Sequence, residues 1–166
     1  LALGGGHSIG FTNHGRVFSW GRNYYGNLGI GKSDDLIHFD PVEITLAFNF
    51  DSSTLEHPKM IEATTNGTML ITSNNRIFVF GANSLNDLSL DEINQATTPY
   101  EITDKFSLDP NEEIMDVSIS ALAGALFTSN NRVFVWGSNG SGELGLGYVS
   151  MSESVTDITN NFELSV

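Results

Sequence analysis

Short runs of Val, Ile, Phe, Thr and Trp alternate along the whole chain with clusters of Gly, Asn and Ser. That is the pattern of half-buried strands joined by tight turns. Ser8–Thr12 and Arg16–Trp20 flank Asn13-His14-Gly15, which reads as a hairpin. The same place is held further on by Ser73-Asn74-Asn75 and Ser129-Asn130-Asn131. Asn accepts positive φ almost as Gly does, so these turns are interchangeable. A strand ends near Leu3, and Pro41-Val42-Glu43-Ile44-Thr45 forms another, giving four strands per unit. No segment sustains a 3.6-residue period; 91–96 is the best short helical candidate.

The unit is written three times. Val17-Phe18-Ser19-Trp20-Gly21 returns as Ile77-Phe78-Val79-Phe80-Gly81 and as Val133-Phe134-Val135-Trp136-Gly137, at spacings of 60 and 56 residues. Thr12, Thr72 and Thr128 share a position, as do Arg16, Arg76 and Arg132, Asn23, Asn83 and Asn139, and Phe48, Phe106 and Phe162. A repeat of this length made of four antiparallel strands describes a propeller blade. The expected fold is therefore all-β: three four-stranded antiparallel blades of a β-propeller, as one partial propeller domain over 1–166 with units of roughly 1–60, 61–116 and 117–166. The aromatic pairs are expected to fill the gap between neighbouring blades. The units differ mainly in one loop, Lys32–Asp40, which is two residues longer than its counterparts.

Gly6-His7-Ser8, Phe11-Thr12, Val17-Phe18-Ser19-Trp20-Gly21, Asn23 and Gly26-Asn27-Leu28-Gly29-Ile30-Gly31, with the copy Gly142-Glu143-Leu144-Gly145-Leu146-Gly147, resemble the repeat of the regulator of chromosome condensation family. The middle copy departs from it at Asn86-Asp87-Leu88-Ser89-Leu90-Asp91, and the His7 position becomes Gly67 and Ala123. The resemblance implies a propeller usually of about seven blades. It implies no single activity: family members include exchange factors for small GTPases, chromatin binders, a β-lactamase inhibitor and a plant light sensor. What they share is binding of a macromolecule on a loop-built face. Three blades leave two sheet faces open, so either flanking repeats or self-association is expected to complete the propeller. The opening Leu1-Ala2-Leu3-Gly4 reads as the middle of a strand, which predicts a longer parent chain.

Charge narrows the partners. With 20 Asp and Glu against 7 Lys and Arg, the formal net charge is −13. Such a chain is repelled by phosphate backbones and anionic lipid, so neither nucleic acid nor a membrane surface is an expected partner. There is no Cys, hence no disulfide framework and no thiolate metal site. Acidic, Cys-free repeats rich in Asn, Ser and Thr resemble those of large bacterial surface or secreted proteins; that is the expected location, with the cytoplasm compatible.

Candidate chemistry is thin once the repeat is accounted for. Gly26-Asn27-Leu28-Gly29-Ile30-Gly31-Lys32-Ser33 fits the phosphate-binding pattern G-x-x-x-x-G-K-[ST]. A phosphate cradle needs a following helix. Here Asp34-Asp35 would repel phosphate, and Gly142, Gly145 and Gly147 recur without a Lys, so a structural role is expected. His7, His14, His38 and His57 have no metal-ligand spacing; His38 with Asp35 and Asp40 is the one loose cluster. Asp34-Asp35, Asp91-Glu92 and Glu112-Glu113 are expected on loops, and adjacent carboxylates rarely form an acid–base couple. The recurring arginines are expected to pair with nearby carboxylates. No catalytic, cofactor or metal residues are assigned. Tyr24 and Tyr25, next to Arg22, are not required by the repeat, whose other copies have Ser84-Leu85 and Gly140-Ser141. With Lys32 and His38 they form the candidate partner-binding loop. The expected function is a non-enzymatic protein-interaction scaffold binding a macromolecule through blade-connecting loops. The alternative is guanine-nucleotide exchange on a small GTPase.

Overall fold

In a computed structural model that describes residues 1–83, 88–89 and 93–162, the chain forms three four-stranded antiparallel sheets. The first contains β1 (Ala2–Leu3), β2 (His7–Phe11), β3 (Val17–Asn23) and β4 (Asp34–Glu43) in that spatial order. The second contains β5 (Pro58–Ala63), β6 (Gly67–Thr72), β7 (Ile77–Ala82) and β8 (Gln95–Glu101). The third contains β9 (Ile114–Ile119), β10 (Ala123–Thr128), β11 (Val133–Asn139) and β12 (Ser150–Asp157). Strands β1, β5 and β9 lie along one side of the array and touch in sequence, so the sheets are arranged as blades around a common inner edge. The sheets do not close on one another: this is a partial β-propeller.

The recurring polar residues each have a local task. Thr12, Thr72 and Thr128 brace the hairpin turn, each hydroxyl accepting the backbone N–H of Arg16, Arg76 or Arg132 at 3.2 Å. The turn itself uses positive φ at Gly15, Asn75 and Asn131, which is why Gly and Asn exchange there. Asn23, Asn83 and Asn139 pin the loop after the third strand: each accepts the N–H of Leu28, Leu88 or Leu144 and donates to a carbonyl at the far end, Lys32, Ile93 or Tyr148. Gly21, Gly81 and Gly137 sit at φ of 105°, 101° and 95°, where a Cβ would strike the backbone of the preceding strand.

Two features differ from the sequence reading. The fourth strand was expected to start at Pro41, with Lys32–Asp40 a loop; β4 instead begins at Asp34 and ends at Glu43. The strand continues because it keeps pairing with β3, Gly21 with His38 and Asn23 with Asp34, across two register shifts. The Ile44-Thr45 end of the expected strand turns into a 3₁₀ segment, Thr45–Phe48, repeated at Thr103–Phe106 and Thr159–Phe162. The helical candidate at 91–96 lies partly outside the described residues, and its end, Gln95 and Ala96, belongs to β8.

The 3₁₀ segments explain the third recurring aromatic. Phe48 projects from the first unit onto the second sheet, with ring centroids 5.3 Å from Phe78 and 6.2 Å from Phe80. Phe106 does the same to the third, 5.7 Å from Phe134 and 5.4 Å from Trp136 in edge-on contacts. Each joint is thus a phenylalanine plug from one blade in an aromatic socket on the next. The middle sheet is covered on both faces, and every residue of β6 and β7 is buried. The first sheet's own Phe18 and Trp20 are only half-buried, and Phe162 at the far end is 60% exposed.

Candidate functional site

The phosphate-loop look-alike is the second part of the joint. Gly29 has φ 67°, and a Cβ there would lie 3.1 Å from the Phe80 ring. Gly31 donates its N–H to the Thr97 carbonyl of the next blade at 2.8 Å. The N–H groups of Gly26, Leu28 and Gly29 are also used, by the Asn23 carbonyl, the Asn23 side chain and the Gly26 carbonyl. Lys32 reaches Asp34 at 2.9 Å. The Gly31 amide therefore ties two blades together, the amides of Gly26, Leu28 and Gly29 close the loop on itself, and the lysine is engaged by a carboxylate.

A third part is buried. His7, expected in a glycine loop, opens β2 and is nearly inaccessible. The Thr68 hydroxyl of the next blade donates to the Asn27 carbonyl, so it accepts the Nε2–H of His7 at 2.8 Å. Nδ1 has no partner. Burial, opposed in part by a backbone contact at Gly67, lowers the His7 pKa from 6.5 to about 4. Protonation would bury an N–H without an acceptor. The unfolded chain takes up this proton first as pH falls, so stability is full above 6.5 and declines toward 4. The expected loss is on the order of 3 kcal/mol. Denaturation of wild type and His7→Asn between these pH values checks it: the slope flattens in the variant.

The recurring arginines carry out the pairing expected of them. Arg16 binds Glu43, Arg76 binds Glu101 and Glu56, and Arg132 binds Asp157 and Glu112. Each guanidinium also lies over the ring of Phe18, Phe78 or Phe134 at 4.6–4.8 Å. Glu112 and Glu113 lie in the loop before β9 as expected, but Glu112 is buried and takes hydrogen bonds from Thr128, the Asp109 N–H and Arg132. Glu56 is its counterpart one blade earlier, bonded to Thr72, the Asp51 N–H and Arg76. Asp34 and Asp35 do leave the loop, since both begin β4; Asp91 and Glu92 lie outside the described residues.

The five candidate partner-binding residues fall at one end of the first sheet, in two groups. Arg22 lies over the Tyr24 ring at 5.8 Å, and Tyr24 and Tyr25 are 46% and 44% exposed. Lys32, Asp34 and His38 form the second group, with His38 Nε2 3.3 Å from Asp34, not from Asp35 or Asp40 as expected. The Lys32 ammonium beside Asp34, helped by His38 and opposed by burial, draws the Asp34 carboxyl down to about 2. Arg22 pairs in register with Ile37, which ties the groups together. Sequence reasoning missed Leu36, Ile37 and Phe39, large apolar residues exposed on β4, of which Phe39 is 82% exposed. The signal was present: β8 carries Gln95, Ala96 and Thr97 where β4 carries Ile37, His38 and Phe39. Among the described residues, no group of three or more His, Asp or Glu side chains is arranged to hold a metal ion.

Residues 14–69, from the first hairpin turn to β6, match the family model of the regulator of chromosome condensation (RCC1) repeat. The matched segment crosses the first joint and contains its plug, Phe48, and its glycine loop. Residues 14–69 thus carry a repeat similar to that of the RCC1 family. It is 25% identical over 156 residues to the zebrafish (Danio rerio) serine/threonine-protein kinase Nek8, covering 87% of this chain and 21% of that protein. It is 24% identical over 146 residues to the mouse X-linked retinitis pigmentosa GTPase regulator, and 26% identical over 168 residues to the human probable E3 ubiquitin-protein ligase HERC4. Those matches cover 88% and 98% of this chain but 14% of either protein, so the chain spans a small part of its relatives. In structure it is similar to Prp20p from Saccharomyces cerevisiae, described with its binding to Gsp1p and histones, at TM-score 0.75 and 21% identity over 94% of this chain and 36% of that one. Human WBSCR16 gives TM-score 0.73 at 19% identity, over 95% and 38%. These likenesses show the β-propeller fold.

Proposed function

We propose that this RCC1-repeat chain is a non-enzymatic scaffold that binds a protein partner through the loops of its first blade, with Arg22, Tyr24, Tyr25, Lys32 and His38 at the contact. The observation that carries the reading is the exposed Tyr24-Tyr25 pair with Arg22 held over Tyr24. Neither tyrosine serves a blade joint, and Tyr and Arg are the residue types that dominate binding hot spots. Replacing both tyrosines by Ala is expected to move stability by less than about 0.5 kcal/mol. Recovery of the bound partner from host-cell extract, quantified against wild type, should fall at least tenfold. Equal recovery by the double variant would overturn the loop assignment.

A second reading is guanine-nucleotide exchange. It is favoured by the likeness to Prp20p, described with binding to Gsp1p, and to a protein named a GTPase regulator. Release of labelled GDP from a panel of small GTPases separates the two. The scaffold reading expects the intrinsic rate; catalytic acceleration would replace it with the exchange reading.

A further inference from the structure

We propose that the groove between the first two blades binds an extended, basic segment of a protein partner, which inserts an apolar side chain there. The groove runs between the outer strands β4 and β8, with the glycine loop at one end and the first 3₁₀ segment at the other. Its volume is about 630 Å³, within the ~300–1,000 Å³ that binding sites occupy. Ile30, Val42 and Ile44 form an apolar floor, Leu46 and Ala47 the rim, and Thr98 the wall on the second blade. Ile30 and Val42 rest on the core and are only partly covered. Both walls belong to blades already packed on each other through Phe48, so the groove is a property of that joint alone.

Two observations identify this occupant. The first is a departure from the repeat. Leu46-Ala47 stand where the later 3₁₀ segments carry Asp104-Lys105 and Asn160-Asn161. Leu46 is 96% exposed, and a working plug does not need it, since Phe106 fills the next joint with Asp104 and Lys105 in those places. The apolar rim is thus particular to the first joint and unexplained by packing. An apolar rim above an apolar floor favours an apolar side chain over water. The second observation is charge. Residues 34–57 supply β4, the 3₁₀ segment and the linker, and they contain Asp34, Asp35, Asp40, Glu43, Asp51 and Glu56 but no Lys or Arg. Lys32, Arg16 and Arg76 offset Asp34, Glu43 and Glu56, leaving Asp35, Asp40 and Asp51 as net negative charge among the described residues. On a chain whose net charge is −13, this surround attracts Lys and Arg and repels an acidic segment.

Fluorescence anisotropy with labelled octapeptides tests this. The probes carry paired Lys at each end and a centre drawn from Leu, Ile, Val and Phe. Those that bind wild type should bind about tenfold more weakly when the Lys flanks become Glu or the centre becomes Ser. The same loss is expected in the double variant Leu46→Asp with Ala47→Lys. That variant carries the second blade's own residues and leaves the net charge unchanged, so its loss isolates the apolar rim. Circular dichroism checks its fold; if it does not fold, Leu46→Asn with Ala47→Asn, the residues of the third 3₁₀ segment, replaces it. The proposal is overturned if no probe binds saturably at millimolar peptide, or if the double variant binds as well as wild type. Equal binding of Glu-flanked probes also overturns it. So does association of the chain with itself that the double variant loses, which would put a second copy in the groove.

Discussion

Phe106→Ala lowers the unfolding free energy by about 3–5 kcal/mol, the range for removing a fully buried aromatic ring and leaving a cavity. Phe106 is completely inaccessible, and it is held edge-on by Phe134 and Trp136, contacts worth about 0.5–1.5 kcal/mol beyond the area they bury. The informative control is the same substitution one repeat later. Phe162→Ala should cost less than about 0.5 kcal/mol, because Phe162 is 60% exposed. Sequence position within the repeat is identical, so the difference isolates the joint itself. Urea denaturation checks both: the midpoint of Phe106→Ala falls, while that of Phe162→Ala stays at the wild-type value. Equal costs at the two positions would mean that the 3₁₀ segments act locally and not as plugs.

The second large effect lies at Glu112. Its carboxylate is buried, with its hydrogen bonds drawn from the third-blade hairpin, through Thr128 and Arg132, and from the linker at Asp109. Burial alone would push its pKa up; the Thr128 hydroxyl, the Asp109 N–H and Arg132 together outweigh that and hold it below the usual carboxylate value. Glu112→Leu leaves those donors in a site closed to water. The expected cost is about 2–4 kcal/mol, moderated because Arg132 keeps Asp157 and part of its solvent contact. The sign of the pH dependence follows from the depressed pKa: the stabilisation is present above the ordinary Glu value of 4.5 and is lost as pH falls through the native value. Acid titration of stability should therefore be shallower in Glu112→Leu than in wild type at pH below 4.5. This window lies mostly below that of His7, which runs from 6.5 to about 4 and overlaps it only at the edge.

Strands, turns and copy number were legible in the sequence because they rest on local rules. Alternation of apolar residues, and Asn or Gly where φ is positive, place the hairpins without knowledge of tertiary contacts. The aromatic Phe-x-Trp element was also legible as packing, since three copies of a large apolar pair have no other shared use. What could not be read is what depends on a tertiary neighbour outside the segment itself. The Pro-Val-Glu-Ile-Thr segment splits between a strand and a 3₁₀ turn because Phe48 must reach the next sheet, and nothing in five residues says so. Glu112 reads as a loop residue, which it is, but its burial depends on Thr128, sixteen residues on, whose hydroxyl bonds to it. Asp34-Asp35 reads as a loop because acidic residues are poor strand formers; ladder pairing with Asn23 overrides that preference. For the partner-binding residues, the departures from the repeat at Tyr24 and Tyr25 were visible, whereas the exposed Phe39 was absorbed into a presumed loop.

The recurring chemistry of the joints has a consequence for how such chains change over generations. At both described boundaries a blade meets its neighbour through a phenylalanine and an aromatic pair, so deleting or duplicating one whole unit in the gene brings together two surfaces that already fit. Copy number can then drift at little cost to folding. Substitutions at the joint, by contrast, must be matched on both sides, which leaves the loop tips and outer strands, the places where Tyr24 and Phe39 stand, as the ground on which new specificity can be tried.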